Sequence, residues 1–183
     1  RSTNNYGFLN GGSIRYKSSP KIGDENFNGD TFLDRALSIS KKRKLIIHTD
    51  SQIDGRSQTI SFARQVAEPI VIIESGQRLR FTDVLLQDFP VNNAELQPGS
   101  QMIFGDGTTL ELAETSILNA AYEFEGTVFV NGKNKTLILG PSGKLIWRPG
   151  AQVTLDNIKI KGINGNNIVL YDNTCTMSLI DVE

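Results

Sequence analysis

His48 and Asp50 are the first residues along the chain whose types and spacing suggest chemistry. A histidine that is oriented by a carboxylate can act as a general base. No serine or cysteine nucleophile is tied to this pair by a motif, and His48 is the only histidine in the sequence. We therefore interpret His48 as incidental and predict no catalytic residue here.

Carboxylates are the second candidates, because paired acids can cleave glycosidic bonds and clustered acids can bind calcium. Several aspartates stand beside glycine or asparagine, where the chain is expected to turn, and no Asp-Asp or Asp-x-Asp cluster occurs. We expect no two acids at successive outward positions of one strand, and so no catalytic pair and no metal-binding residue. The aspartates considered are Asp50, Asp54, Asp83, Asp88, Asp106, Asp156 and Asp181.

Cofactors are not indicated either. Cys175 is the only cysteine, so the sequence offers neither an intrachain disulfide nor a Cys/His metal site. The loop Gly105-Asp106-Gly107 precedes no helical pattern, which argues against phosphate binding. The formal net charge of −1 does not favour nucleic acid as a partner, and no apolar run has the ~20 residues of a membrane span.

Three further features leave the binding residues unknown. Trp147 is expected to face outward, where it could stack on a sugar ring or pack under a loop. The basic run 41–44 could bind an anion, although a solvated helix end is the interpretation we favour. Asn134-Lys135-Thr136 fits the N-glycosylation sequence, and its relevance depends on the host.

The elements that would position these residues fall into three segments. Residues 1–29, rich in Asn, Gly and Ser, are expected to form an extended N-terminal arm. Residues 30–44 predict a short capping helix, with Thr31 and Asp34 at capping-box spacing and an apolar stripe that includes Leu33 and Leu37. Short apolar alternations separated by Gly, Asn and Asp fill residues 45–183 and predict strands.

The clearest signal is an internal repeat. Residues 70–89 match residues 144–163 at a shift of 74, and residues 144–158 match residues 168–182 at a shift of 24, close to a third of the first. One coil of about 24 residues explains both shifts, and such a period indicates stacked repeats that share a core. A β-sandwich would not predict that the same apolar pattern recurs at both shifts. We therefore expect an all-β fold, a parallel β-helix (β-solenoid).

Each coil follows the pattern apolar-x-apolar-x-Asp/Asn-apolar. The Asp or Asn turns the chain, since these residues tolerate left-handed backbone, and Asp83, Asn157 and Asp181 are the expected corners. Asn157 and Asp181 are expected to stack in neighbouring coils. The residues expected in the core are Leu79, Phe81, Val84, Leu86, Val153, Leu155, Ile158, Ile160, Met177, Leu179 and Val182.

Two stretches resemble coils of the pectin-lyase-like right-handed β-helices. These are Ile53-Asp54-Gly55 followed by Thr59-Ile60-Ser61-Phe62, and Leu155-Asp156-Asn157-Ile158-Lys159-Ile160. The resemblance covers residues 45–183 and implies right-handed winding, which parallel crossovers also favour. That family includes polysaccharide lyases and hydrolases, bacterial surface proteins and phage tailspikes, so the resemblance alone does not decide the activity.

These observations predict a non-catalytic structural or adhesive β-helix of a secreted, cell-surface or fibre-forming protein. The alternative is a carbohydrate-active enzyme or a carbohydrate-binding, tailspike-like module. An ice-binding face is less favoured, because the outward residues Arg80, Thr154 and Ser178 are mixed in type.

The sequence also suggests assembly. The chain starts at Arg1 rather than Met and stops one residue after Val182, in the middle of the repeat. We therefore expect the stack to be open at its C-terminal end, to be covered by further coils of a longer parent chain or by another copy stacked head to tail.

Overall fold

A computed structural model of the protein describes residues 14–16, 25–40, 43–63 and 68–183. Within these ranges the regular elements are β-strands, apart from one 3₁₀ turn at Val91–Asn93. The strands are β1 Ile14–Tyr16, β2 Glu25–Leu33, β3 Leu37–Ile39, β4 Leu45–Phe62, β5 Val71–Ile73, β6 Arg78–Phe89, β7 Ala94–Leu96, β8 Gln101–Phe104, β9 Thr108–Leu112, β10 Ser116–Leu118, β11 Ala121–Phe124, β12 Thr127–Leu139, β13 Lys144–Trp147, β14 Gln152–Lys161, β15 Ile168–Leu170 and β16 Thr176–Ile180.

Every strand pairing between the described elements is parallel, and the long strands β4, β6, β12 and β14 each continue through a corner of the coil. The result is a parallel β-solenoid of about six turns with about 23 residues a coil. This confirms the predicted all-β, β-helical fold class, since a residue of one coil pairs with the residue one coil further along rather than with a hairpin neighbour.

Three faces run along the stack. Face 1 contains the start of β4 with β5 and β7, and, at the same place in later coils, β10 with the end of β12. Face 2 joins the middle of β4 to the start of β6 and then to β8, β11, β13 and β15. Face 3 joins β3 to the end of β4, the second half of β6, and then β9, the starts of β12 and β14, and β16, while the end of β14 continues onto face 1.

The expected corner residues adopt the backbone that the sequence predicted for them. Asp83, Asn157 and Asp181 have φ of 46°, 49° and 47°. Asp156 pairs with Ile180, so Asn157 and Asp181 follow equivalent positions in neighbouring coils. Short polar side chains tolerate this left-handed backbone at low cost, which lets a strand turn without a loop.

Two corners share a further feature, a four-residue Asx turn. Asp54-Gly55-Arg56-Ser57 and Asn131-Gly132-Lys133-Asn134 each place two consecutive positive-φ residues after the glycine. In each, the side-chain oxygen of the first residue accepts the backbone N–H two residues on, at 3.0 Å for Asp54 and 2.8 Å for Asn131. The Asx turn therefore holds a four-residue corner in both coils.

The core fills the interior with aliphatic residues and a column of aromatic rings. Phe81, Phe104, Phe124 and Trp147 succeed one another in register on face 2. Their ring centroids lie 6.1, 5.7 and 5.3 Å apart, within the range of favourable aromatic pairs. Tyr122 is buried nearby, its hydroxyl has no hydrogen-bond partner, and burial raises its pKa.

Most of the predicted core is confirmed, and the exceptions lie at the last coils. Leu79, Phe81, Val84, Leu86, Val153, Leu155 and Ile158 are buried, while Ile160 and Val182 are partly buried against the core. Met177 and Leu179 are exposed, at 41% and 55%. They pair in register with Val153 and Leu155, so they occupy core positions that no described coil covers.

The predicted capping helix at residues 30–44 is wrong. Residues 25–33 form β2 and residues 37–39 form β3. The buried side chains include Leu33, Leu37 and Ile39, which alternate within each strand, and the chain bends at Asp34 and Arg35. A short apolar run fits both a helical and a strand period, and coil stacking selects the strand.

The predicted outward position of Trp147 is also wrong, because its side chain is 0% exposed. The shift of 24 set Ile146 against Leu170, whereas in the structure Trp147 pairs with Leu170. A slip of one residue moves every side chain of a strand to its other face. Leu145 and Trp147 therefore face the core, and Ile146 faces outward.

The predicted N-terminal arm lies mostly outside the described residues, as do Lys41 and Lys42 of the basic run. Within the arm, β1 pairs with the second half of β2, and β2 begins at Glu25, before the predicted end of the arm. Residues 14–16 of the arm thus form a strand of the sheet.

Candidate functional site

A group of four interacting charged side chains lies on the outer side of face 2. Glu123 lies on β11, Glu125 follows that strand directly, Arg80 lies on β6, and Arg148 follows β13. We call these four residues the Arg–Glu cluster. Since Arg80 pairs with Ile103 and Ile103 pairs with Glu123, the cluster extends over successive coils of one face.

Ion pairs connect the cluster across coils. Arg80 Nη2 lies 3.0 Å from Glu125 Oε2, and Arg148 Nε donates to Glu123 Oε2 at 2.6 Å. Arg148 Nη2 also contacts Glu123, and its Nε lies 3.5 Å from Glu125 Oε1. Arg148 thus bridges both glutamates, and Glu125 bridges both arginines.

Gly105 makes the reach of Arg80 possible. Gly105 follows β8, between the coil of Arg80 and the coil of Glu125. A Cβ at Gly105 would lie 3.1 Å from Arg80 Nε and 2.8 Å from Thr82 Cγ2, closer than ordinary van der Waals contact. Because Gly105 has no side chain, the Arg80 side chain can extend past this coil and reach Glu125.

The cluster corrects the expectation that no two acids occupy successive outward positions. Glu123 and Glu125 flank the inward Phe124, as strand alternation requires. The signal was present as Glu-x-Glu around an aromatic residue, in the alternation Tyr122-Glu123-Phe124-Glu125. It lies between the two matched segments, residues 70–89 and 144–163.

The two glutamates are held by arginines of other coils. The Glu123 side chain is only 9% exposed, against 34% for Arg148. Guanidinium groups contact oxygens of both carboxylates, as charge-assisted hydrogen bonds do. Such a geometry joins coils to one another, and leaving Glu123 without Arg148 would leave a mostly buried charge unpaired.

His48 and Asp50, considered from the sequence as a general base and its orienting carboxylate, each contact a residue of the next coil. His48 Nδ1 lies 2.7 Å from Glu74 Oε1, and Asp50 Oδ2 accepts from Arg78 Nη2 at 2.7 Å. The hydrogen bonds from Arg78 hold the pKa of Asp50 below its usual value. Each contact joins one coil to the next at the corner between faces 1 and 2, and both are exposed.

The other aspartates of the sequence analysis take part in turn contacts. Asp83 Oδ1 accepts from Ser57 Oγ at 3.0 Å, and Asp106 Oδ1 accepts from Thr127 N at 2.8 Å. Asp156 accepts from the neighbouring Asn157 at 3.0 Å. Among the described residues, no group of His, Cys, Asp and Glu is arranged to hold a metal ion.

A second ionic group lies at the corner after face 3. Lys133 Nζ donates to Glu111 Oε2 at 2.8 Å and lies 3.6 Å from Asp88 Oδ1. The hydrogen bond to Glu111 is the main cause that raises the pKa of Lys133. This lysine fixes a positive-φ corner to the two preceding coils.

The remaining candidates are separate from the Arg–Glu cluster or have ordinary surroundings. Gly107 has φ of 74° and forms part of a turn, and Asn134 is exposed at a corner with φ of 60°. Cys175 is half-buried, with its Sγ 3.2 Å from the carbonyl oxygen of Arg148. Lys44 of the basic run lies 3.2 Å from Glu68.

Comparison with protein-family models, curated proteins and solved structures yields no match for this chain. In the described part of the chain, no helix has the length and apolar character needed to span a membrane.

Proposed function

We propose that the chain is a non-catalytic structural module of a secreted, cell-surface or fibre-forming protein, in which stacked β-coils provide a rigid body. The winding is right-handed, as in the pectin-lyase-like β-helices that two of its stretches resemble. The observation that carries the proposal is the Arg–Glu cluster. Its four charged side chains pair with one another and so join one coil to another.

The contact pattern supports this role at several levels of the stack. Arg78 binds Asp50 of the preceding coil, Lys133 binds Glu111, and Arg148 binds Glu123, so cations on one coil repeatedly meet acids on another. Exposed pairs contribute about 0–1 kcal/mol each, whereas removing one partner from the partly buried pair of Glu123 costs more, because it leaves a desolvated charge unpaired. A module whose ion pairs are internal is suited to carrying other domains or surfaces.

The test is a screen of the pure protein against acidic and neutral polysaccharides. We expect no release of new reducing ends and no unsaturated products. Glu123→Gln and Glu125→Gln are the matched variants. Cleavage by the parent protein that disappears in either variant would show that the cluster is a catalytic pair and would overturn the proposal.

An adhesive role on the same scaffold is the second candidate. Face 2 presents polar side chains on neighbouring coils, including the exposed Arg78 and Asp50 and the half-buried Gln52 and Arg80. A regular row of donors and acceptors suits an extended carbohydrate. Retention on a polysaccharide column that is lost in Arg78→Ala, without cleavage, would favour binding. Lys159→Ala, which removes a partly exposed cation from face 1, is the control.

Removing Arg148 is expected to destabilise the fold by about 1.5–3 kcal/mol, since Glu123 would keep its burial and lose its main cation. Arg148→Ala, Glu123→Gln and the double variant, each unfolded in urea, form a double-mutant cycle. We expect the double variant to be less destabilised than the sum of the singles. Additive losses would mean that the pair does not couple the coils.

The exposed last coil belongs to the same proposal. Met177 and Leu179 occupy core positions but lie in solvent. In the assembled state, another coil covers them, either from a longer parent chain or from another molecule of this protein. The partner of the solenoid is therefore β-structure of its own kind.

A further inference from the structure

A row of five side chains runs along the outer side of face 3, and we call it the face 3 row. Each of these residues points outward, because the next residue along the chain is in every case a buried core residue. The pairing registers set them above one another in five successive coils, with β3 on one side and β16 on the other. The row consists of Thr59, Leu85, Thr109, Phe129 and Thr154.

Hydroxyl and apolar side chains alternate along this row. Threonines recur in every second coil, about 9.6 Å apart, since neighbouring strands lie about 4.8 Å apart. Leu85 and Phe129 occupy the coils between them, so apolar contacts recur with the same period. All five residues are half-buried, which leaves part of each side chain accessible from outside. The row is therefore a narrow strip with two interleaved kinds of contact.

The threonine hydroxyls of the row are free for a ligand. Among the described residues, no group forms a hydrogen bond with the hydroxyls of Thr59, Thr109 or Thr154. In the next row of the same face, by contrast, Ser61 Oγ donates to Gln87 Oε1 at 2.9 Å. A threonine hydroxyl both donates and accepts hydrogen bonds, as a sugar hydroxyl does.

The face 3 row carries no charge, and the acids beside it are already engaged. The next row, two residues further along each strand, contains Glu111 and Asp156. Glu111 Oε2 accepts from Lys133 Nζ at 2.8 Å, and Asp156 Oδ2 accepts from Asn157 Nδ2 at 3.0 Å. Neither row contains a lysine or an arginine. The charge of this surface therefore matches a neutral ligand rather than an acidic polysaccharide.

We propose that the face 3 row binds a neutral β-1,4-linked glycan that lies along the axis of the solenoid. In such a chain each sugar is turned over relative to the one before, so like groups recur at every second sugar, a spacing close to that of every second coil. The face of a phenyl ring is negatively polarised and attracts the C–H groups of a sugar ring. Phe129 stacks on one sugar, Leu85 contacts another, and the threonines bond to the hydroxyls between them. This inference goes beyond the structural role and does not rest on it.

The experiment is titration of the full chain with cellohexaose, followed by isothermal calorimetry. We expect saturable binding. Two matched ligands test the linkage and the charge: maltohexaose, which is α-1,4-linked and curved, and hexamannuronate, which is β-1,4-linked and acidic. Both should bind more weakly than cellohexaose by about tenfold or more.

Two variants test the row itself. Phe129→Ala should weaken cellohexaose binding by about tenfold, the loss of one stacking contact. Thr109→Val removes a hydroxyl from the middle of the row, keeps the shape of the side chain and should weaken binding by about threefold to tenfold. Arg78→Ala, which removes an exposed cation from face 2, is the control and should bind as the parent protein does. Far-UV circular dichroism shows whether each variant is folded, and Thr109→Val decides if Phe129→Ala does not fold.

The possible results separate this inference from the proposed function. Absence of saturable binding, equal binding of maltohexaose, or unchanged binding by the folded variants overturns the inference. Binding that is lost in Arg78→Ala and kept in Phe129→Ala places the glycan on face 2 and also overturns it. Release of reducing ends from bound cellohexaose would overturn the structural role and leave this inference standing.

Discussion

Replacing Trp147 with alanine is expected to lower the free energy of unfolding by about 3–5 kcal/mol, the usual cost of removing a fully buried large aromatic side chain. Trp147 ends the aromatic column of face 2, with its ring centroid 5.3 Å from that of Phe124 and its side chain wholly buried. The cavity left behind would lie between stacked coils, where the ladder hydrogen bonds restrict collapse. Chemical denaturation, followed by far-UV circular dichroism, measures the loss.

Ile146→Ala is the matched control, because Ile146 is the adjacent residue and faces outward half-buried. We expect it to cost clearly less than Trp147→Ala. The milder variant Trp147→Phe keeps a ring and removes an indole Nε1 that has no hydrogen-bond partner, so its loss should lie well below that of alanine. A Trp147→Ala protein as stable as Ile146→Ala would contradict the inward position.

The solenoid could be predicted because its strands share one apolar pattern. For the same reason, strands of different faces were aligned with one another. The shift of 74 equated Leu79 with Val153. In the structure Leu79 aligns, through Met102 and Tyr122, with Leu145 on face 2. Val153 lies instead on face 3 and pairs with Val128. Each face carries the same apolar alternation ending in a corner. A strand therefore matches a strand of another face as well as it matches its true partner in the sheet.

The Arg–Glu cluster could not be predicted because the coil shortens where it lies. Met102 pairs with Tyr122, a separation of 20 residues, whereas Ala121 pairs with Lys144, a separation of 23. A repeat of constant length therefore assigns the wrong partners across that change. The side chains that neighbour one another in successive coils depend on the coil length, so neither the Glu123–Arg148 contact nor the contact of Arg80 with Glu125 follows from local sequence.

The corners, by contrast, follow from local chemistry. Asp83, Asn157 and Asp181 were predicted as turning residues from their type and their place after an apolar alternation, and all three have left-handed backbone. The error at residues 30–44 is of the opposite kind. Two short strands and a bend there produce an apolar spacing that one helical turn would also produce, and only stacking against β4 distinguishes them.

Gly55→Ala is expected to cost about 3 kcal/mol or more, at or above the upper end for overpacking, because the obstruction includes backbone. A Cβ at Gly55 would lie 2.4 Å from Val84 Cβ and 2.5 Å from the Asp83 carbonyl oxygen, both on the next coil. A Cβ added at Gly132 would likewise lie 2.5 Å from Ile158 Cβ and 2.6 Å from the Asn157 carbonyl oxygen. To admit the methyl group, neighbouring coils would have to separate at a corner.

Gly165→Ala is the control for this prediction, since a Cβ there meets no atom within 4 Å. Any general effect of adding a methyl group to a glycine should appear in both variants, whereas the coil-to-coil clash should appear only in Gly55→Ala. Thermal unfolding compares them, with Gly132→Ala as a second test of the shared corner. Equal melting temperatures for Gly55→Ala and Gly165→Ala would mean that neighbouring coils are not close enough at this corner for the added methyl group to clash.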